Sequence, residues 1–423
     1  MLKKQIIVVF LLCVANMQLA VGQATHSPYS SIGVGDIVEP YLPAHAGMGG
    51  LGISNGSPWY LNSVNPALLH YNAFSAFSAT LVGESKSINQ EGFDTYSAGS
   101  GSLRNLAMSF PLKAGKVSTA IGLMPLTSVN YNYSYLASMS GASDTTINTN
   151  SGEGGYNQMY LATGINVFKG LSIGLKGIYV FGATKKEYSS YAPTLSTPNY
   201  TPVYFDRSSA KDFAFGAGLS YRQKLGENLH LNLGFTYDHE MSLKTERLVR
   251  VEQRTGSTGI LFADTLKNNV EEILQLPAKY GFGVSLTSLG KWLVGVDYIM
   301  QDWTNYVGPA TNIGTLTNRE KYIVGVEFTP DANSVSNYLS RVTYRAGFNF
   351  EKTPYVVNQQ QINDFGINFG WSLPLPKNYS SIDFGFEFGN RGTVSDFLIK
   401  ENYIKMHFGV SFNDRWFVRP KFN

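Results

Sequence analysis

The chain has 423 residues, with 33 Lys and Arg against 30 Asp and Glu, for a formal net charge of +3. Charged residues are 15% and aromatics 13%, while glycine fills 43 positions, a balance that suits strands facing lipid on one side. No basic run with interleaved aromatics points to nucleic acid, and the single cysteine excludes a disulfide framework.

The first residues read as a secretory signal. Lys3 and Lys4 form the positive region, Ile6 to Val14 the apolar region, and Ala20-Val21-Gly22 a small-x-small cleavage site. The expected mature chain begins near Gln23. The apolar run is too short to span a bilayer as a helix. Cys13 lies inside this signal and is preceded by Leu11-Leu12, which argues against a lipoprotein anchor. No later segment has the long apolar run of a spanning helix, so a membrane form of this chain has to be a closed barrel.

Pro43 to Leu69 follows neither the helix nor the strand period. Gly47, Gly49, Gly50 and Gly52 permit tight turns and close backbone approach. Pro66 pushes Asn65 towards extended geometry, just ahead of Ala67. Such a stretch has no core of its own, so it is expected to fill a lumen as a plug. Its GxGxxG pattern, Gly47 to Gly52, lacks the strand and helix that a dinucleotide site needs. Its GxSxG pattern around Ser54 lacks the strand and helix of a nucleophile elbow. No catalytic residue, cofactor or metal site is expected, since the six histidines are scattered without ligand spacing.

Beyond the plug, segments alternate apolar and polar residues to the C-terminus. In Ser380 to Asn390, Ile382, Phe384, Phe386 and Phe388 share one face, and Asp383, Gly385, Glu387 and Gly389 the other. Residues 229–240 and 340–351 repeat the pattern. About fourteen such segments occur, near 73–83, 103–112, 116–126, 157–168, 171–182, 211–222, 229–240, 278–288, 291–302, 320–329, 340–351, 361–373, 380–390 and 402–412. Short turns such as Phe168 to Leu171 alternate with long polar connections at 126–156, 183–210, 241–277 and 303–319, which is the outer-membrane pattern. The expected fold is all-β: a transmembrane antiparallel barrel of about 14 strands with an N-terminal hatch in its lumen. Residues 1–22 are then the signal, 23–72 the hatch and 73–423 the barrel. Asp297, Glu327, Arg341, Arg345, Glu351, Asp383, Glu387 and Lys405, with His230 and His407, are expected to face the lumen, because a lipid-facing Arg or Lys costs roughly 2–4 kcal/mol at midplane.

The motifs AGMGGLGIS and NSVNPALL, with Asn65-Pro66-Ala67 just before the first strand, resemble the hatch of the FadL/TodX family of hydrophobic-compound transporters. Phe412, Trp416, Phe417 and Phe422 near the end resemble the closing aromatics of such barrels in Bacteroidetes. The resemblance implies passive uptake of a hydrophobic small molecule, such as a long-chain fatty acid, across the Gram-negative outer membrane, with outer-membrane lipid around the barrel. Leu261, Phe262, Ile273, Leu274 and Leu276 are expected on a short amphipathic helix in the loop at 241–277, forming with 183–210 a groove that first captures the ligand. Release is expected through a hatch rearrangement, or a kink at Gly122 and Pro125 in the third strand. The alternative of another class is a barrel that serves as subunit or partner of an outer-membrane protein secretion or assembly complex.

Overall fold

The computed structural model describes residues 26–138, 145–192, 200–255, 259–308, 315–376 and 379–414. The signal sequence and its cleavage site lie outside the described residues, as do Trp416, Phe417 and Phe422. Among the described residues no helix is long and apolar enough to cross a membrane. The strands carry the architecture.

Fourteen antiparallel strands close on themselves. They are β1 (Ser75–Gln90), β2 (Tyr96–Lys113), β3 (Val117–Pro125 and Thr127–Ser138), β4 (Thr145–Phe168), β5 (Leu171–Tyr191), β6 (Tyr200–Lys224), β7 (Leu229–Asp238 and Met241–Thr255), β8 (Gly259–Leu276 and Lys279–Ser288), β9 (Trp292–Asp302), β10 (Asn318–Phe328), β11 (Thr343–Val357), β12 (Gln360–Pro374), β13 (Ser381–Arg391) and β14 (Ile399–Asp414). The last strand returns to the first, with Asp414 opposite Ser75 and Ile399 opposite Gln90. Each segment of alternating sequence coincides with one strand.

The apolar face points outward. On β8, Tyr280, Phe282, Val284 and Leu286 are exposed, while Gly281, Gly283, Ser285 and Thr287 are buried. On β13, Phe388 is 44% exposed and Asp383 only 3%. A lipid-facing band and a polar lumen follow from the same two-residue period. Arg341 departs from the expected lumen face: it lies in the 3-10 turn Leu339–Arg341, before β11 begins. His230 sits at the rim, bonded to the Asn228 carbonyl.

One side of the wall is tall. The upper parts of β3 to β8 continue beyond the apolar band, through residues that the alternation places in loops. Outward side chains there include charged ones, such as Lys185, Arg207, Lys244 and Glu246. The expected helix within 241–277 is absent. Met241–Thr255 and Gly259–Leu276 instead form one antiparallel hairpin, which satisfies their backbone groups by pairing.

Candidate functional site

The lumen is occupied by the chain's own N-terminal residues. The hatch is built from short pieces: a 3-10 turn at Pro28–Ser31, an extended pair Asp36–Ile37, one helical turn at Pro43–Ala46 and a 3-10 helix at Pro66–Tyr71. Side chains organise the irregular chain between them. Asn62 donates to the carbonyls of Gly52 and Asn55 at 2.8 and 2.9 Å and accepts from the N–H groups of Val64 and Asn65. Asn65 is extended, caps the following helix at the Ala67 N–H, and donates to Ile53 of the hatch and Leu219 of the wall. Gly49 and Gly50 adopt positive φ, +72° and +103°, which completes the tight turn.

The wall is shaped to this plug. From β4 to β14, each strand turns a glycine onto the hatch: Gly164, Gly174, Gly218, Gly234, Gly283, Gly295, Gly325, Gly347, Gly370, Gly385 and Gly409. A methyl group would meet hatch atoms in each case, at 2.1 Å from the Ile53 carbonyl for Gly234 and 2.3 Å from the Ala67 N for Gly174. The hatch therefore packs backbone against backbone around most of the circumference. Asp297 of β9 completes the seat. One of its carboxylate oxygens accepts the N–H groups of both Gly52 and Ile53 at 2.8 Å. Met48, Leu51 and Ile53 pack on Leu293, Ile299 and Ile323.

A strap, residues 26–39, lies above the girdle. Pairing between β2 and β3 ends at Leu106 and Leu123, beside Gly122 and Pro125. Above that point β3 carries no partner from β2. Asp36 and Ile37 pair there with Ser128 and Thr127, Val38 N–H donates to the Leu126 carbonyl, and Ser27 N–H donates to Asn130. The strap thus lines the gap in the wall. Its far side is clasped by β13 and β14. Arg391 binds Asp36 at 2.7 Å and Glu401 at 2.7 Å, and Glu401 also holds Lys86 at 3.0 Å and accepts from Ser27 at 2.6 Å. Glu39 pairs with Arg319, which also holds Glu351 at 2.7 Å. Burial alone would raise the Glu39 carboxyl, but Arg319, with Lys279 and Lys321, outweighs it and holds the group down at about 2.

Between strap, hatch and wall lies a cavity of about 550 Å³. Its lining includes Glu39, Lys86, Arg104, Arg319, Lys321, Glu351, Arg391, Glu401 and Lys405. That surface suits water and ions rather than a hydrocarbon. Among the described residues no cluster of His, Cys, Asp or Glu could hold a metal ion.

The residues singled out in the sequence part company here. Gly47, Gly49, Gly50, Gly52, Asn65, Pro66 and Ala67 are drawn together against the wall, and Gly122 and Pro125 stand below the strap-lined gap. The five residues expected to line a capture groove do not share one surface: the strand period separates Ile273 from Leu274 and Leu276, while the adjacent Leu261 and Phe262 are both exposed. Leu261, Phe262 and Ile273 are 54%, 62% and 59% exposed, whereas Leu274 and Leu276 are buried inward with Val34, Leu42 and Trp303. Ser54 is buried in the hatch. Sequence reasoning missed the clasp of Asp36, Arg391 and Glu401, because Asp36 lies 355 residues from Arg391. It also missed the girdle, although the signal was visible as glycine recurring on the inward face of successive strands.

The sequence model described as BamG matches residues 1–423. The chain belongs to the BamG family. No protein of curated function matches it in sequence. Solved structures match this chain in fold. The CymD monoaromatic hydrocarbon channel shares 13% identity over 90% of this chain and 98% of that one, with a TM-score of 0.55. The Pseudomonas putida toluene transporter TodX shares 14% over 90% and 99%, with 0.59, and a Pseudomonas aeruginosa FadL homologue 12% over 89% and 98%, with 0.59. The chain shares the barrel fold of these neighbours, of which CymD is described as a channel and TodX as a transporter.

Proposed function

We propose that this protein is a closed FadL-like barrel that works as a subunit of an outer-membrane protein assembly complex. The observation that carries this is the glycine girdle. Eleven consecutive strands set a glycine against the hatch, so moving the hatch would open voids along most of the ring and strip its hydrogen bonds to Asp297 and Leu219. The charged cavity above it offers no apolar pocket. Membership of the BamG family supports the same reading, and the tall polar sheet supplies a surface beyond the membrane for protein contacts. The barrel then serves as a lipid-embedded anchor.

A second reading is passive uptake of a hydrophobic compound, such as a long-chain fatty acid. The fold shared with TodX and CymD supports it, and so does the break between β2 and β3. Uptake would then require the strap or the hatch to leave. Native mass spectrometry of the barrel, extracted gently from its own outer membrane, tests both. A stoichiometric protein partner is the expected result. A lone barrel carrying a lipophile would overturn the first reading in favour of the second.

A further inference from the structure

One rim of the barrel carries the short turns, at 114–116, 169–170, 225–228, 289–291 and 375–380. In outer-membrane barrels that rim faces the periplasm. The connection between β10 and β11 lies on the same rim and is far longer, running over residues 329–342. The Thr329 N–H donates to the Lys291 carbonyl at 2.7 Å, and the Tyr338 hydroxyl donates to the Pro374 carbonyl at 3.1 Å. The loop is thus lashed to the neighbouring connection on each side. It also closes on itself. The Asp331 N–H donates to the Ser340 carbonyl, the Asp331 carboxylate accepts from the Asn333 N–H at 3.0 Å, and the Asn337 side chain accepts from the Leu339 N–H at 3.0 Å. Compact surface loops packed by their own side chains are frequently functional, and a loop already held in one shape loses little further freedom on binding.

The loop is apolar at its tip and polar around it. Val335 is 98% exposed and Leu339 63%. Asn333, Ser334, Ser336 and Asn337 flank Val335, which suits an apolar anchor inside a polar rim rather than insertion into hydrocarbon. Beside them the Arg341 guanidinium lies over the Tyr338 ring, 5.1 Å from its centroid. Arg341 makes no ion pair or side-chain hydrogen bond among the described residues, and its Nε is buried without a partner. Tyr and Arg are the side chains that most often carry interface energy, and a carboxylate brought to this guanidinium would pair it.

We propose that this loop docks a periplasmic protein subunit, with Val335 and Leu339 entering an apolar pocket and an Asp or Glu of that subunit pairing with Arg341. The site deepens the subunit reading and rests on it. The barrel holds the complex in the membrane, and the loop holds the part of it outside. One loop is smaller than the roughly 800 Å² per partner of a standard interface, so it acts as the anchor of a wider contact.

The test places a photo-crosslinking residue at Val335, Leu339 or Leu225 in the full chain, in its own cells. Leu225 is similarly exposed, at 55%, on another turn of the same rim. Links from 335 and 339 should map to one apolar surface of a single protein, with at least tenfold fewer from 225. Equal linking from 225, links to lipid, or links to a second copy of the chain would overturn the proposal. Val335→Asp alters a side chain that packs on nothing, so it should leave barrel yield unchanged and lower the co-extracted partner at least tenfold. Arg341→Glu should lower it as far; full retention in that variant would overturn the carboxylate pairing. A partner undiminished by Val335→Asp would refute the loop while sparing the subunit reading. A wild-type barrel that leaves the membrane without any partner would refute both.

Discussion

Gly347→Ala tests the girdle at one of its tightest backbone contacts. A Cβ at this position on β11 would stand 2.2 Å from the carbonyl carbon of Met48 and 2.5 Å from the nitrogen of Gly49. Both are backbone atoms and cannot rotate aside. Strand β11 is held by pairing on two sides, so the smaller body, the hatch, has to shift. Overpacking of this kind costs about 1–3 kcal/mol. If ~2 kcal/mol falls on hatch docking, the undocked population rises about 30-fold, at 1.4 kcal/mol per factor of ten. Hydrogen exchange at the amides of Gly52 and Ile53 reads this directly, since both are bonded to Asp297 in the docked state. Gly83→Ala is the control, because a methyl group there meets nothing within 4 Å. Exchange in Gly347→Ala that matches this control would refute the idea that backbone contact seats the hatch.

Asp297→Ala strands two buried N–H groups, at a cost of about 1–3 kcal/mol each, and should give measurable conductance to barrels in planar bilayers that are otherwise silent. Arg391→Gln leaves Asp36 and Glu401 without their shared cation, a loss of about 3–5 kcal/mol for a buried pair; limited proteolysis should then cut within residues 26–39. The Glu39 carboxyl, held at about 2 against an ordinary 4.5, contributes stability that is full above pH 4.5 and lost as pH falls towards 2, because its folded value lies below the unfolded one. Protection factors of the strap amides should fall as pH drops across that window, and Glu39→Gln should remove the dependence. Leu274→Ala should destabilise the hairpin by about 2–4 kcal/mol, as a fully buried leucine does, while Leu261→Asp leaves the denaturation midpoint unchanged.

The sequence by itself determined the wall. Lipid on one side and a filled lumen on the other impose a two-residue period on every strand within the membrane, and segments such as Tyr280 to Leu286 and Ile382 to Phe388 carry it plainly. It also determined the hatch's local geometry, because Pro66 and the Gly49-Gly50 pair act on their own backbone. Tertiary structure decided the rest. Above the membrane both faces of β5 are polar around Lys185, Lys186 and Glu187, so the period fades and strands look like loops. The hairpin at 241–276 depends on pairing between residues whose own spacing also suits a helix. The clasp of Asp36 by Arg391, 355 residues apart, and the seat of Gly52 on Asp297, 245 apart, exist only once the barrel closes around its own N-terminus. Local chemistry cannot specify contacts that barrel closure creates.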